Sequence, residues 1–437
     1  MKFREILLVI VLLVAGVVVY EVQTGSWTTW GWTFNEDGEF FGLGKAYPFE
    51  ETRTIEAPIP SSLEVTNSHG WVEVRGADQE TVQLTFQKKV WRRDEADARA
   101  VADKLHDIVK KTADRLSLST NRDEFTKRNF ETGFILVVPR RMTVTVNNSY
   151  GLVKVAAVKE ADVRNRHGRV SASDIEGACT LESSYEDIEA ENLKAGCRVI
   201  DKHADVKVLS VAGNLSADHS YGKVRFEDIG GKADIIGSHS EVNGRRVHGP
   251  VSVETSYERI SLSDAGATRV RARHCPVEAQ DIRGDLDVET TYEPVKAMNV
   301  QGNLQVTGNN VEVTASLIKG REISVMTSYE KVDLADFSAR VKISLRHGGL
   351  VLRPSDLKFP VDVRDEYGDI DLYWPAGEAS PLEAQTRGGS VHWGLSGKPS
   401  LEKSNGTSFI KAFVENTDRP GVTLSTTYGD IRIQERH

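Results

Sequence analysis

The stretch Ser149-Tyr150-Gly151-Leu152-Val153-Lys154-Val155 contains the pattern that decides the fold. A tyrosine or histidine recurs at the position of Tyr150 every 17 to 20 residues through the middle of the chain. We call this series the column, and its ring-bearing members are Tyr150, His167, Tyr185, His203, Tyr221, His239, Tyr257, His274, Tyr292, Tyr329, His347 and Tyr367. Asn310 falls in the same series, and Tyr428 is a late member. So steady a period predicts a repeat architecture, in which each repeat stacks on the next.

Apolar residues lie at fixed distances from the column. The third residue after each column position is aliphatic, and the fifth is apolar or small in most repeats, as in Val153 and Val155. Apolar residues also lie four and six positions before the column, with polar residues at alternate sites. This alternation predicts two or three short strands in each repeat. The sequence therefore predicts an all-β protein, a single-chain parallel β-solenoid (β-helix) with about 18 residues per coil.

A further apolar residue lies eight positions after the column, and Asp or Asn often precedes it, as Asp174 precedes Ile175. A glycine follows within a few residues, as Gly177 does. Asp and Asn side chains stabilise bends, and glycine adopts positive φ without steric cost. We therefore expect the coil to turn a corner here, with the glycine supplying the positive φ.

Composition and charge limit the classes of partner. The chain has 437 residues, a net charge of -9 and a pI of about 5.8, which argue against nucleic acid because phosphate binding requires a basic surface. Three cysteines are too few for a disulfide scaffold. Cys179 and Cys197 are one repeat apart and should lie on adjacent coils. We expect buried free thiols there, and a disulfide in an oxidising compartment is the alternative.

The N-terminal residues 1–24 have the composition of a membrane anchor. Lys2 and Arg4 precede an uninterrupted apolar run from Ile6 to Val19. We predict an uncleaved, single-pass transmembrane helix whose N-terminus faces the cytoplasm, and a cleaved signal peptide is the alternative. Both interpretations place the rest of the chain outside the cytoplasm, in the periplasm or at the cell surface. Residues 25–60, rich in Gly, Thr, Trp and acidic residues, are predicted to form a membrane-proximal linker.

Residues 61–142 contain one coil and then an interruption of the repeat. The coil lies at Ser68-His69-Gly70, and about eighty residues without the repeat follow it. Within them, residues from Asp94 to Lys111 place apolar side chains on one helical face, while Arg115–Leu118 and Phe134–Val138 have the composition of strands. We predict a small α/β insert that caps the open end of the solenoid, because exposed strand edges invite aggregation.

Residues 143–437 are predicted to form the solenoid repeat domain. Near its end, Gly388 begins a coil with Val391 and Trp393 in phase. A polar interruption follows from residue 395 to residue 419, and a further coil contains Tyr428. The order of these segments predicts that the coil of Tyr428 is the last one.

The steps Ser149-Tyr150-Gly151-Leu152-Val153 and Arg166-His167-Gly168-Arg169-Val170, together with a predicted helix before Val138-Pro139-Arg140, resemble the bacterial β-strand-repeat putative adhesin family. The resemblance covers the chain from about residue 61 to the end. It implies a β-solenoid protein of the bacterial envelope with an undefined molecular function, and it brings no catalytic residues. Members of that family more often have Asn-Gly where this chain has Tyr or His.

No group of residues predicts a catalytic, cofactor-binding or metal-binding site. Successive column histidines alternate with tyrosines, so they lie about 9.6 Å apart, too far to share one metal ion. Glutamates follow several column tyrosines at Glu186, Glu258, Glu293 and Glu330, but such even repetition is typical of a solvated face rather than of a paired-carboxylate site. We interpret the column as a structural ladder of stacked rings at one corner of every coil.

These observations favour a non-catalytic, membrane-anchored β-solenoid outside the cytoplasm, an adhesin or a cell-envelope scaffold that presents an extended binding surface. The expected partners are the lipid bilayer of the bacterial cytoplasmic (inner) membrane, through the N-terminal helix, and envelope polysaccharide or protein. No nucleic acid and no cofactor are expected. One alternative is a polysaccharide-active β-helix enzyme, a lyase or hydrolase, which would require unlike polar side chains clustered in a groove. The other is a bactofilin-like scaffold that polymerises through uncapped coil ends.

Overall fold

The computed structural model describes residues 44–397, 399–404, 407–413 and 421–436. These residues form two compact units. Unit 1 contains residues 44–51, 86–107 and 120–132, and unit 2 contains the other described residues. The predicted membrane anchor lies outside the described residues, as does the linker up to residue 43. Among the residues that are described, no helix has the length and apolar character needed to span a bilayer.

Strands dominate the described chain. In its first part they are β1 Lys45–Ile55, β2 Ser62–Thr66, β3 Val72–Ala77, β4 Val82–Arg92, β5 Asp107–Lys111, β6 Arg115–Thr120, β7 Phe130–Pro139, β8 Thr143–Tyr150, β9 Val153–Ala156, β10 Glu160–His167, β11 Val170–Ser173, β12 Cys179–Glu182, β13 Ile188–Leu193, β14 Cys197–Asp201, β15 Val206–Val211, β16 Leu215–Ile229 and β17 Ala233–Val247. They continue as β18 Val251–Ser256, β19 Ile260–Ala265, β20 Thr268–Arg273, β21 Val277–Ile282, β22 Leu286–Thr291, β23 Val295–Val300, β24 Leu304–Asn309, β25 Val313–Ile318, β26 Glu322–Met326, β27 Val332–Phe337, β28 Arg340–Ser344, β29 Leu350–Arg353, β30 Val361–Arg364, β31 Ile370–Trp374, β32 Leu382–Thr386, β33 Val391–Gly394, β34 Ser400–Ser404, β35 Thr407–Ala412, β36 Val422–Thr426 and β37 Ile431–Glu435. The helix α1 is Glu95–Ala102, and a short 3-10 turn is Arg122–Glu124.

Unit 2 is a parallel β-solenoid, which confirms the predicted fold. Most coils have one strand before the column and one after it, while β16 and β17 each continue through the column as a single strand. These strands pair in parallel with the equivalent strands of the neighbouring coils. The register follows the repeat, so that Ile188 pairs with Val206 and Cys179 pairs with Cys197. Two strand ladders therefore run along the solenoid, joined in each coil by a column corner and followed by a second corner that leads to the next coil.

The core lies between the two ladders and is built from the predicted positions. The aliphatic residues three positions after the column are buried throughout, as are most apolar residues at the other predicted positions. Burying such a side chain contributes about 1.5–3 kcal/mol relative to leaving it exposed. Because the side chains alternate between core and solvent along each strand, a one-residue slip would turn this whole set outwards. The apolar pattern therefore fixes the register of every coil.

The second corner depends on a left-handed residue seven positions after the column. Its φ lies between 50° and 59° in eleven successive coils, at Ala157, Asp174, Asn192, Ser210, Asp228, Arg246, Asp264, Asp281, Asn299, Leu317 and Asp336. The expectation that the following glycines supply the positive φ is wrong, because the Asp or Asn position adopts it instead. The glycines are required for close approach: a Cβ on Gly302 or Gly320 would overlap the backbone of the preceding coil.

Both ends of unit 2 stack their coils in an order that differs from the chain order. At one end β2 pairs with β6 on one side and with β8 on the other, and β3 likewise lies between β7 and β9. The insert therefore does not leave the repeat completely, because β6 and β7 re-enter the solenoid beside β2 and β3.

The same arrangement occurs at the C-terminal end. Strands β36 and β37, which flank Tyr428, pair with β30 and β31 on one side and with β32 and β33 on the other. The coil of Tyr428 is the last described coil in chain order, as predicted, but it is not the last coil of the stack. The coil of Gly388 is stacked outside it, and the hairpin β34–β35 pairs antiparallel with β32.

The helix of unit 1 is shorter than predicted. The Asp94 carboxylate caps its first turn by accepting from the Asp97 amide at 2.9 Å, but the helix ends at Ala102 instead of continuing to Lys111. The Asn121 side chain accepts from the His106 amide at 2.9 Å and donates to the Lys104 carbonyl at 3.0 Å. A longer helix would need the His106 amide and the Lys104 carbonyl for its own hydrogen bonds, so these contacts prevent it from continuing. Strand β5 follows. The buried Lys88 ammonium donates to the Ala102 carbonyl at 2.8 Å, a favourable place for a cation at a helix C-terminus.

Two neighbouring glycines test the importance of close approach at the column corner. A Cβ on Gly348 would overlap the carbonyl oxygen of Glu330 on the adjacent coil, whereas a Cβ on Gly349 would lie 4.0 Å from the nearest atom, the Asp369 carbonyl oxygen. We expect Gly348→Ala to lower the free energy of unfolding by about 1–3 kcal/mol or more through overpacking, and Gly349→Ala to change it by less than about 0.5 kcal/mol. Urea denaturation of both variants measures the difference. Equal stability of the two would contradict the proposed role of close approach.

Candidate functional site

The column forms two runs of stacked rings along unit 2. From His69 through Tyr150 to Tyr292, each ring lies against the ring of the next coil, and a second run extends from Tyr329 to Tyr428. Ring centroids are 4.3–5.4 Å apart, and the ring planes diverge by 6–28°. Each such pair contributes about 0.5–1.5 kcal/mol beyond the burial of its area. The predicted ladder of stacked rings is present.

The rings of the column are exposed along their edges. The column tyrosines are between 44% exposed at Tyr150 and 60% exposed at Tyr292. Inside the stack both faces of a ring are covered by its neighbours, so the phenol oxygens, imidazole nitrogens and ring edges face the solvent. A regular stripe of hydrogen-bonding groups therefore follows the solenoid at a spacing of about 4.8 Å.

The backbone of the column is left-handed in its central part. The φ angle lies between 53° and 72° at Tyr221, His239, Tyr257, His274, Tyr292, Asn310 and Tyr329. Asparagine adopts this conformation readily, but a tyrosine there carries steric strain of about 1–3 kcal/mol. Rings in such positions depend on compensation from elsewhere, and stacking on two neighbours supplies energy of the same order.

A second ladder, which the sequence reasoning missed, lies directly beneath the rings. The residue two positions before the column is polar and buried in most coils, at Asn67, Asn148, Asn165, Ser183, Asp201, His219, Thr255, Thr290, Thr327, Asp365, Thr386 and Thr426. We call these residues the inner polar ladder. Many donate to a corner carbonyl of an adjacent coil: Asn165 binds Gly151 at 2.7 Å, Thr290 binds Cys275 at 3.2 Å and Thr327 binds Val311 at 2.9 Å. The ladder therefore satisfies carbonyl groups that the turn removes from the strand pairing.

Two members of the inner polar ladder, Asp201 and His219, lie beside Ser240, so that the three have the residue types of a nucleophilic triad. His219 Nδ1 lies 2.8 Å from Ser240 Oγ, and His219 Nε2 lies 2.7 Å from the Ala204 carbonyl and 3.6 Å from Asp201 Oδ2. The three side chains are at most 2% exposed. Because Nε2 makes its short contact with a backbone carbonyl and the serine is covered, the group is arranged to hold the corner rather than to meet a substrate.

The sulfur atoms of Cys179 and Cys197 are free and buried on adjacent coils. A hydrogen bond with Cys179, together with burial, raises the pKa of Cys197 well above its ordinary value. The third cysteine, Cys275, is also free and buried, and burial raises its pKa. Thiols with raised pKa values are poor nucleophiles at neutral pH. Their arrangement agrees with the expected packing as small apolar residues.

Charged residues cover the outer faces of both ladders. Many form ion pairs between adjacent coils, such as Arg271 with Asp287 at 2.8 Å and Arg432 with Asp369 at 2.8 Å. The hydrogen bond from Arg246 lowers the pKa of Asp228. Such exposed pairs contribute little to stability individually.

The glutamates considered as a paired-carboxylate site lie at the column corner beside the rings, one on each of four coils. They are Glu186, Glu258, Glu293 and Glu330, and no two of them are brought together in a cleft. In the described part of the chain, no three or more His, Cys, Asp or Glu side chains are grouped so that they could hold a metal ion.

Unit 1 has its own polar features. Arg122 is buried, donates to the Phe130 carbonyl at 2.8 Å and lies over the Phe130 ring at 4.6 Å. Burial, together with the charge of Arg128, lowers the pKa of Arg122 to about 10. A surface cavity of about 830 Å³ lies between α1 and residues 121–127. The sequence reasoning identified neither feature, because no repeat marks the positions.

Comparison with known families concerns the second half of the solenoid. Residues 238–434 match the family model described as Toastrack DUF4097. This half of the solenoid is similar to a Toastrack domain. The matched residues include the column from His239 to Tyr428, and the coils before them continue the same two ladders. This match confirms the predicted resemblance at the level of a β-repeat domain whose function is undefined.

One solved structure similar to this chain is the crystal structure of a putative cell adhesion protein from Clostridium sporogenes. The alignment covers 89% of this chain and 100% of that chain at 10% sequence identity. Its TM-score of 0.20 is too low to support a conclusion about this chain. No curated protein matches the chain in sequence.

The role of the inner polar ladder predicts that replacing Thr290 by a residue without a hydrogen-bond donor lowers the stability of the fold. The variant Thr290→Val keeps the shape of the side chain but leaves the Cys275 carbonyl without its donor, so we expect a loss of about 1–3 kcal/mol of unfolding free energy. Thr314→Val, on the exposed face of β25, is the matched control and should change stability by less than about 0.5 kcal/mol. Urea denaturation distinguishes the two. If both variants were as stable as the parent, the inner polar ladder would not hold the corner.

Asp201 predicts a dependence on pH. Burial raises the pKa of this carboxyl, so the folded state favours its protonated form. Its contribution to stability is complete below the unfolded pKa of about 3.9 and is lost as the pH rises through the folded pKa. We expect Asp201→Asn to gain stability relative to the parent protein between pH 3 and pH 7. Urea midpoints of both proteins across this range measure the gain, and parallel profiles would contradict the assignment.

Proposed function

We propose that this protein is a non-catalytic, membrane-anchored scaffold outside the cytoplasm that presents the edge of its ring column as an extended binding surface. The observation that carries the proposal is the column itself, a stripe of exposed phenol and imidazole edges that repeats with the coil. A ligand that is itself a repeating chain, such as an envelope polysaccharide, would meet a ring edge at each step and the same ring type at every second step. Adhesion to a cell surface or assembly of the envelope uses such a surface in the same way.

The packing beneath the stripe supports a binding role. The inner polar ladder and the corner glycines fix the backbone under the rings, so the edges are held at constant spacing before any partner arrives. A preorganised surface loses less conformational entropy on association than a mobile one. Each ring edge is expected to contribute little binding free energy, but a ligand that contacts many coils gains all of these contributions together, as in multivalent binding.

The test compares ring edges with and without their hydroxyl groups. Replacing Tyr185, Tyr221 and Tyr257 together by Phe keeps the stacking, removes three hydroxyls from the stripe and should leave the melting temperature unchanged. We expect the full-length parent protein to bind polysaccharides on a glycan array and the triple variant to bind at least about tenfold more weakly. Tyr373→Phe, which lies outside the column, is the matched control and should bind like the parent. Equal binding by all three proteins would overturn the proposed role of the column, and release of shortened glycan products would favour a polysaccharide-active enzyme.

The membrane anchor is tested separately. We expect the full-length protein to remain in the membrane pellet after alkaline carbonate extraction and the solenoid to be digested by protease added outside intact spheroplasts. A variant without residues 1–24 should lose membrane association. Recovery of the parent protein in the soluble cytoplasmic fraction would contradict this part of the proposal.

A further inference from the structure

The ring stack has one internal break, at Asn310. One face of Tyr292 stacks on His274 at 5.0 Å, and one face of Tyr329 stacks on His347 at 4.5 Å. In the described part of the chain, no ring covers the opposite face of either tyrosine. We call the space between these two faces, with Asn310 beneath it, the ring gap. Asn310 stands where the alternation of Tyr and His would place a histidine.

The ring gap has the thickness of one planar group. Rings elsewhere in the stack repeat at 4.3–5.4 Å, and two steps of about 4.8 Å separate Tyr292 from Tyr329. The removal of one ring from a regular stack therefore leaves room for one group of ring thickness with π faces on both sides. The two tyrosines that border the ring gap, Tyr292 and Tyr329, are 60% and 54% exposed.

The surroundings of the ring gap are acidic. Glu293 and Glu330 directly follow the two tyrosines, and Glu312 lies two residues after Asn310. These three carboxylates form no ion pair with any described residue, whereas the nearby Lys331 pairs with Asp333 at 3.1 Å. The amide of Asn310 adds an acceptor, Oδ1, which lies 3.4 Å from Ser328 Oγ.

Together these features select a flat cation that donates hydrogen bonds. A guanidinium group is planar, carries five N–H donors, stacks on aromatic faces and stays charged at all accessible pH values. A lysine ammonium lacks the planar shape, and a neutral sugar ring or aromatic ring makes no use of three unpaired carboxylates. We propose that the ring gap binds the guanidinium group of an arginine side chain presented by a partner protein. The inference deepens the proposed binding role of the column, on which it rests, by naming the chemistry of one site.

The test uses the full-length protein with small probes. Nα-acetyl-arginine amide is titrated against protein labelled with 3-fluorotyrosine, and the fluorine signals of Tyr292 and Tyr329 are assigned with the single Tyr→Phe variants. We expect both signals to shift together and the affinity to fall as salt is added. Nα-acetyl-citrulline amide has the same shape without the charge, and it should bind at least about fivefold more weakly, as the loss of a cation–π contact predicts. Nα-acetyl-lysine amide should also bind more weakly than the arginine probe.

Two variants separate shape from charge. Asn310→His refills the ring gap with the ring that the alternation calls for, so it should abolish the shifts and raise the melting temperature. His239→Asn opens a gap of equal size between Tyr221 and Tyr257, where Lys223 and Arg259 accompany Glu258 and Glu241. We expect this second gap to bind the arginine probe at least about fivefold more weakly than the native one.

Several outcomes would overturn the inference. They are equal affinity for the arginine and citrulline probes, undiminished binding by Asn310→His, equal binding at the two gaps, and preferential binding of a methyl glycoside. The triple Tyr→Phe variant leaves the ring gap intact. Failure of the guanidinium titration is therefore distinguishable from failure of the broader binding role, which is measured at Tyr185, Tyr221 and Tyr257.

Discussion

The parallel pairing of each coil with the next is the constraint on which the rest of the structure depends. Backbone hydrogen bonds run along the solenoid and hold equivalent residues about one strand spacing apart. A residue type that repeats with the coil must therefore contact copies of itself. Apolar residues form a continuous core, charged residues of opposite sign form pairs, and rings form a stack. The corners are the difficult points, since the chain leaves the strand pairing there and exposes carbonyl groups that need other donors.

The column corner solves this problem with three components that depend on one another. The inner polar ladder supplies donors for the turn carbonyls, and glycines such as Gly348 allow the backbones of adjacent coils to meet. The rings then stack outside the corner, although many of them have a left-handed backbone that Asn or Gly would adopt with less strain. Asn310, with a φ of 56°, shows that the conformation belongs to the corner and not to the ring. Stacking energy of about 0.5–1.5 kcal/mol per pair is of the size needed to retain tyrosine and histidine there.

Most of the fold was predictable from the sequence because its period is carried by residues whose burial is obligatory. The aliphatic residues after the column, such as Ile188 and Val206, had only one way to be buried together. The inner polar ladder was missed because its members differ in type, although a polar residue at a fixed position inside an apolar pattern is a readable signal. The end of α1 at Ala102 depends on Asn121, which lies far along the chain. The stacking order of the terminal coils could not be predicted, because each coil carries the same apolar pattern and could pair equally well with any other coil.

The exchanged order of the coils at the two ends of the solenoid determines how the molecule bears force. Strands β36 and β37 lie between two other coils, so tension on these strands must slide them against partners on both sides at once. A solenoid whose outermost coil carried the terminus would instead peel open one coil at a time. Here β36 and β37 are clamped by a coil on each side, and the coil outside them is joined to the chain at both of its ends.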